Sequence, residues 1–157
     1  MYDRDAAVAY AREWAFGRNP RYMNFQGIGG DCTNFISQCL HAGGAPMNFT
    51  KDLGWYFNTA HDRAAAWTGV EYLYRFLTGE LRPGPKGKAI PIVEIQPGDL
   101  IQLSFLKGQF SHSLLVVGIG EVPAPDNVLI ATHSNDSLDR PLSSYDIQAY
   151  RCLQISK

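Results

Sequence analysis

A cysteine stands at the start of a short apolar stretch that glycines bound on both sides, in GGDCTNFISQCLHAGG (residues 29–44). Its apolar residues recur at helical spacing: Cys32, Phe35, Ile36, Cys39 and Leu40. Asp31 is a favoured N-cap residue, so Cys32 falls in the first helical turn. The positive end of the helix favours the nucleophilic thiolate, and its free N–H groups can bind an oxyanion. The pattern predicts a nucleophile at Cys32, with an inert buried thiol as the alternative.

The other two cysteines carry no such context. Cys39 lies inside the helical stripe and Cys152 inside a predicted strand, so both are expected in the core. An odd number of cysteines argues against a disulfide framework. Cys32 and Cys39 would be about 10 Å apart along one helix, which is too far for a disulfide or for sharing one zinc ion.

A nucleophilic thiol needs a base, and two histidines stand at the ends of neighbouring apolar runs. His112 begins HSLLVVGI, and His133 ends NVLIATH. A hairpin that pairs residue 112 with 133, and 119 with 126, would bring their Cβ atoms within about 5 Å. One imidazole would then be the base, and the other would orient it. The alternative for each is a structural histidine, as expected for His41 at the helix end and for exposed His61.

Two polar residues after His133 compete for the orienting role. Asn135 or Asp136 could hold the base if the strand continues for two residues, and Asn135 would have the matching parity. A metal site made from Cys32, His112 and His133 is possible by ligand type but explains the helix-start cysteine less well. No metal and no cofactor is therefore predicted.

The elements that must position these residues fall into two groups along the chain. Helical spacing predicts helices from Asp3 to Gly17, from Cys32 to the glycines at 43–44, and from Ala64 to Leu77. Five β-branched-rich runs follow: AIPIVEI, GDLIQLSF, HSLLVVGI, NVLIATH and AYRCLQI. SLLVVGI and VLIAT are apolar at both parities, as in central strands covered on both faces. Helices followed by strands predict an α+β fold with a mostly antiparallel sheet of about five strands in one domain, residues 1–157.

Composition narrows the class of partner. The chain of 157 residues is 45% hydrophobic, which is typical of a globular domain. A net charge of −1 provides no basic excess for a nucleic acid. No apolar run approaches the roughly 20 residues of a transmembrane helix. The compartment is left open: extracellular or cell-envelope if a leader was removed, otherwise cytoplasmic.

With these residues placed, the chain resembles the papain-like bacterial amidases and peptidases, which include NlpC-type cell-wall endopeptidases and cysteine/histidine-dependent amidohydrolases. The resemblance is closest to the putative amidase domain family. The matching segments occur in family order: YAREWAFGRNPRYMNF (10–25), GGDCTNFISQCLHAGG (29–44), QPGDLIQL (96–103), FSHSLLVVG (110–118) and ATHSND (131–136).

The resemblance implies a papain-like fold with Cys32 as nucleophile and His112 as base. In the NlpC-type group the third residue of the catalytic triad is often a histidine, which fits His133. The wider superfamily also uses Asn or acidic residues, which keeps Asn135 and Asp136 open. Asp31 belongs to the family motif and is expected to help shape the oxyanion site.

The predicted function is a cysteine-dependent amidohydrolase or peptidase that works through a thioester. Peptides of the bacterial cell wall are the substrate that the resemblance implies. One alternative is a peptide-binding module that keeps the fold without turnover. Another is an acyltransferase that passes the same thioester to an amine.

Overall fold

The structure is a computed structural model that describes residues Met1–Lys157. It contains four α-helices and eight β-strands. In chain order they are α1 (Arg4–Trp14), α2 (Cys32–Ala42), β1 (Phe57–Thr59), β2 (Asp62–Arg63), α3 (Ala65–Thr68), α4 (Val70–Thr78), β3 (Lys86–Ile90), β4 (Leu100–Leu106), β5 (Gln109–Gly118), β6 (Leu129–Thr132), β7 (Ser137–Pro141) and β8 (Ala149–Ser156). The α+β prediction is confirmed. None of these helices is both long and apolar enough to cross a membrane.

The main sheet has six antiparallel strands in the order β3-β8-β4-β5-β6-β7, and β1 and β2 form a separate hairpin. The sheet therefore has one strand more than the five predicted runs. The additional strand is β7, whose sequence SLDRP lacks an apolar pattern. The run 89–95 was predicted as a strand, but the strand lies earlier, at Lys86–Ile90. Pro91 has no N–H for a ladder, and a 3₁₀ turn follows at Ile92–Glu94.

The helices begin where the sequence predicts. Asp3 caps α1, because its side chain accepts a hydrogen bond of 3.0 Å from the N–H of Ala6. Helix α2 starts at Cys32, as expected. The predicted third helix is interrupted at Gly69, whose extended backbone separates α3 from α4.

Two apolar clusters lie on opposite sides of the sheet. The larger cluster joins α1, α2 and α4 to one face through residues such as Phe35, Leu115 and Leu153. The smaller cluster covers the other face and includes Leu114 and Val116. Consecutive residues of β5 are thus buried on both faces, which confirms β5 as a covered central strand.

The register of β5 with β6 differs from the predicted one by one residue. Leu115 pairs with Ala131 and Val116 with Ile130, whereas pairing 112 with 133 would have placed 115 opposite 130. Because both strands are apolar on both faces, a one-residue shift exposes nothing, and the hydrophobic pattern cannot select the register. The shift directs the side chains of His112 and His133 to opposite faces of the sheet.

Candidate active site

Cys32 is the first residue of α2, and its side chain is nearly buried. The backbone N–H groups of Ser113 and Thr33 favour the ionised form of its sulfur, and Thr33 Oγ1 lies 3.8 Å from Sγ. Strand β6 ends at Thr132, so the edge of β5 is open where Ser113 stands. The nucleophile candidate therefore lies at the open edge of β5, beside the residue that follows His112.

Cys32 is a thiol, not a thiolate, at neutral pH. Burial raises the pKa of Cys32 above its ordinary value of 9.0, and the N–H groups of Ser113 and Thr33 offset that only in part. The nearby charge of Asp31 raises the pKa further. Burial therefore opposes the effect expected of the helix field, which favours the thiolate.

His112 is buried and neutral. Burial and the charge of Arg140 lower the pKa of His112 from 6.5 to about 4. Its Nε2 lies 3.4 Å from Thr132 Oγ1, which in turn lies 2.8 Å from the carbonyl oxygen of Ser113. The one hydroxyl proton of Thr132 goes to a carbonyl, so Oγ1 can only accept from His112. This assigns the proton to Nε2 and leaves Nδ1 with a free lone pair.

No hydrogen bond joins Cys32 to His112 in this structure. The sulfur lies 3.8 Å from Thr33 Oγ1, and the only side chain within hydrogen-bond distance of the imidazole is that of Thr132. His112 shares the face of Leu114 and Val116, opposite α2, so proton transfer requires Cys32 and His112 to approach each other around the open edge of β5.

His133 is not hydrogen-bonded to His112. Its Nδ1 lies 2.5 Å from Asp31 Oδ2, and its Nε2 lies 2.7 Å from the carbonyl oxygen of Trp14. Its ring stacks on Phe35 of α2, with centroids 4.0 Å apart. The predicted contact between the two imidazoles is therefore absent, because the register shift turns His133 towards α2.

Asp31 occupies the N-cap position of α2, but its side chain makes no cap hydrogen bond. The buried carboxylate instead accepts from the N–H of Phe25 at 2.8 Å, from Asn34 Nδ2 at 2.9 Å and from His133. Burial would raise the pKa of Asp31, but these hydrogen bonds hold it below its usual value. The expected capping role is wrong, and the first-turn N–H groups of α2 lack a side-chain cap.

Asn135 and Asp136, the two other candidates for the third catalytic residue, form no hydrogen bond with His112 either. Asp136 forms a bidentate pair with Arg18, at 2.9 and 3.0 Å. Asn135 is exposed in a turn, with φ of 78°, because the strand stops at Thr132 and does not continue for two residues. Neither side chain bonds His112.

Arg18 lies between these groups. Its Nε is 3.3 Å from Asp31 Oδ2, while its other nitrogens bind Asp136 and approach His133. The loop before α2 is thus tied to the turn after β6 by charged hydrogen bonds. No sequence pattern points to Arg18, since its loop has no periodicity.

A cleft of about 460 Å³ opens beside His112. Its lining is mostly polar: Phe105, Ser111, His112, Ser134, Asn135, Arg140, Ser144, Tyr145 and Asp146. Burial raises the pKa of Tyr145, and the charge of Arg140 offsets part of that rise. Cys32 is not among the residues that line this cleft. Cys32, His112 and His133 do not form a cluster that could hold a metal ion, nor do any other His, Cys, Asp and Glu side chains.

Comparison with known proteins identifies the family. The chain is 36% identical over 153 residues to the uncharacterized protein YhbB of Bacillus subtilis (strain 168). That alignment covers 96% of this chain and 47% of the relative, so the chain spans about half of the relative's length. No solved structure gives a significant match. The family model described as a putative amidase domain matches residues 1–154, and the chain therefore belongs to this amidase family.

Proposed function

We propose that this protein is a cysteine-dependent amidohydrolase with Cys32 as nucleophile and His112 as base. The family description supports an amidase. The observation that carries the cysteine mechanism is the position of Cys32 at the start of α2, beside the residue that follows His112: Thr33 Oγ1, next to Cys32, lies 3.0 Å from Ser113 Oγ. A purely structural thiol would not require a helix start that lacks a side-chain cap.

The reaction begins from neutral partners. As Sγ attacks the amide carbonyl carbon, the thiol proton passes to His112 Nδ1 and the C–S bond forms. The carbonyl oxygen becomes an oxyanion, which the first-turn N–H groups of α2 can stabilise. Asp31 leaves these groups free because its carboxylate binds Phe25, Asn34 and His133 instead.

The second half releases both products. Imidazolium His112 returns its proton to the leaving nitrogen, and the C–N bond breaks to leave a thioester on Cys32. Water then attacks the thioester carbonyl while His112 takes a proton from it. Collapse of that intermediate releases the acid and restores the thiol. With a pKa of about 4, neutral His112 is a modest base, and its imidazolium form is a strong acid toward the leaving amine.

Thr132 is the third member in this mechanism. It accepts the Nε2 proton of His112 and so keeps Nδ1 free for the sulfur. His133 and Asp31 position the start of α2 and take no part in proton transfer. Asn135 and Asp136 have no role in the relay, although Asn135 lines the cleft.

The fold and substrate class rest on resemblance. Helix α2, with the cysteine at its start, packs on an antiparallel sheet that carries the histidine, which is the arrangement expected of a papain-like enzyme. The similarity of residues 29–44 and 110–118 to NlpC-type peptidases favours peptide amides of the bacterial cell wall as substrates.

The test is hydrolysis of a library of peptide amides, including soluble cell-wall fragments, followed by mass spectrometry. Cys32→Ala and His112→Gln should abolish the release of new amine ends. Cys152→Ala is the matched control, since Cys152 is also buried but lies in β8, and it should retain activity. Equal turnover by Cys32→Ala and the wild type would contradict the cysteine mechanism.

The same assay separates the alternatives. An acyltransferase would convert an added amine to a new amide faster than it releases the free acid. A binding module would retain peptides without any product from the wild type.

A further inference from the structure

One cation in the His112 cleft lacks an acidic partner. Arg140 of β7 lines the cleft, and no carboxylate lies within 4.0 Å of its guanidinium. Ion pairs are formed by Arg4, Arg12, Arg18 and Arg151, and the other arginines without one lie outside this cleft: Arg21, Arg63, Arg75 and Arg82. Asp146 lines the same cleft but forms no ion pair with it. An unpaired arginine in the same cleft as the proposed base can bind an anionic group of the substrate.

Arg140 is held in place without losing its charge or its free donors. Its Nε donates to Ser144 Oγ at 2.7 Å, and its guanidinium lies 3.7 Å from the centre of the Tyr145 ring. Nη1 has no hydrogen-bond partner in the protein. The guanidinium is therefore fixed before any ligand arrives, which lowers the entropy cost of binding one.

We propose that Arg140 is a specificity residue that binds a carboxylate of the substrate next to the amide bond that Cys32 attacks. This inference rests on the proposed function. It narrows the substrate class to peptide amides with an acidic group at the scissile bond. A single guanidinium with Asp146 nearby suits a monoanion better than a phosphate dianion, because the acidic side chain would repel the second negative charge.

Binding of a substrate carboxylate to Arg140 would also change the pKa of His112, the proposed base. Arg140 is one of the two causes of the low pKa of His112, and burial is the other. A bound carboxylate would neutralise the guanidinium and raise the pKa of His112 towards the working pH, where it is a more effective base. A neutral amide of the same shape lacks the charge that pairs with Arg140 and would not raise the pKa of His112.

The direct test is an NMR titration of the His112 ring protons with three matched ligands. N-acetylglutamine carries a terminal carboxylate, N-acetylglutamate α-amide carries a side-chain carboxylate, and N-acetylglutamine amide carries none. We expect saturable shifts with either or both acids and none with the neutral amide. The acid that binds more tightly shows whether Arg140 prefers a terminal or a side-chain carboxylate.

Arg140→Gln should abolish these shifts, and Arg75→Gln on α4, outside the cleft, should not. Raising the salt concentration should weaken acid binding to the wild type, which tests the charge without any substitution. Equal shifts with the acids and the neutral amide, or unchanged acid binding by Arg140→Gln, would overturn the proposal.

A second measurement separates this proposal from the proposed function. Iodoacetate and iodoacetamide alkylate the same sulfur but differ in charge. The iodoacetate-to-iodoacetamide rate ratio at Cys32 should be on the order of fivefold higher in the wild type than in Arg140→Gln. An unchanged ratio would overturn the role of Arg140 while leaving Cys32 as nucleophile. A wild-type protein that binds the acids as expected but hydrolyses no amide would instead contradict the proposed function.

Discussion

At the scale of single residues, the protonation states of Cys32 and His112 decide how the site works. Burial raises the pKa of the thiol, and burial with Arg140 lowers that of the imidazole to about 4. The resting site therefore holds no thiolate–imidazolium pair. In the proposed mechanism, the proton moves only as the sulfur attacks, as in a serine hydrolase.

The pH profile of alkylation tests this resting state. Since the pKa of Cys32 lies above 9.0, its iodoacetamide alkylation rate should keep rising as the pH increases from 6 to 9. Peptide mapping follows Cys32 separately from Cys39 and Cys152. A plateau between pH 5 and 7 would mean a preformed thiolate and would contradict the neutral pair.

Thr132 provides the second prediction at this scale. Thr132→Val keeps the shape of the side chain but removes the acceptor for Nε2–H of His112, so the tautomer is no longer fixed. We expect kcat to fall by about a factor of ten to a hundred, with KM little changed. Thr78→Val on exposed α4 is the control. A fall in stability with unaltered kcat would assign Thr132 a purely structural role, and ¹⁵N spectra of His112 report the tautomer directly.

The sequence predicted the position of Cys32 at the start of α2, but His112 lies inside β5, which begins at Gln109 and not at His112 as expected. The chemical roles of both residues stay predictions. Thr132 could have been found only with the correct register, and Arg140 lies in a polar strand with no pattern. The roles of Asp31 and His133 depend on a contact between segments about 100 residues apart in the chain.

At the scale of elements, the start of α2 is bound to the end of β6. Asp31 Oδ2 meets His133 Nδ1, Phe35 stacks on the same imidazole, and Ser134 Oγ accepts from the N–H of Asp31. These contacts fix the height of Cys32 above the sheet. His133 thus acts on the nucleophile by holding its helix.

Loss of the contact between Asp31 and His133 should lower the stability of the fold more than it lowers turnover. His133→Ala leaves the buried Asp31 carboxylate without its partner, and we expect a loss of about 3 kcal/mol in the free energy of unfolding. Asp136→Ala, which removes only the half-exposed partner of Arg18, should cost less than about 1 kcal/mol. Urea denaturation measures both. If His133→Ala keeps full stability but loses all turnover, His133 is catalytic and the positioning role is wrong.

The element predictions succeeded where one face alone carries the pattern. Helices α1 and α2 have one apolar face against the sheet, so their limits could be predicted closely. Strands β5 and β6 are apolar on both faces, and their register was therefore not determined by the sequence. Strand β7 was missed because it lies at the sheet edge and has no apolar pattern to signal it.

At the scale of the whole molecule, the buried neutral His112 links stability to pH. The unfolded chain binds a proton at this residue with a pKa near 6.5, while the folded protein binds it only near 4. The stabilisation is thus complete above pH 6.5 and is lost as the pH falls from 6.5 to 4. The loss should be on the order of 3 kcal/mol.

Thermal or urea unfolding at several pH values measures this loss. His112→Gln should flatten the stability profile between pH 6.5 and 4. Asp31 titrates in a different window, because its lowered pKa preserves its contribution until the pH falls below 3.8. An identical profile for the wild type and His112→Gln would show that His112 is not the group that resists protonation.

The most direct test of the central claim is detection of the acyl group on Cys32. Wild-type protein is mixed with an excess of an amide substrate from the library, quenched in acid within its turnover time, digested and analysed by mass spectrometry. We predict the acyl mass on the peptide that contains Cys32, its removal by hydroxylamine, and its absence in Cys32→Ala. Turnover with no acyl mass on Cys32, or with the acyl group on another residue, would contradict the account.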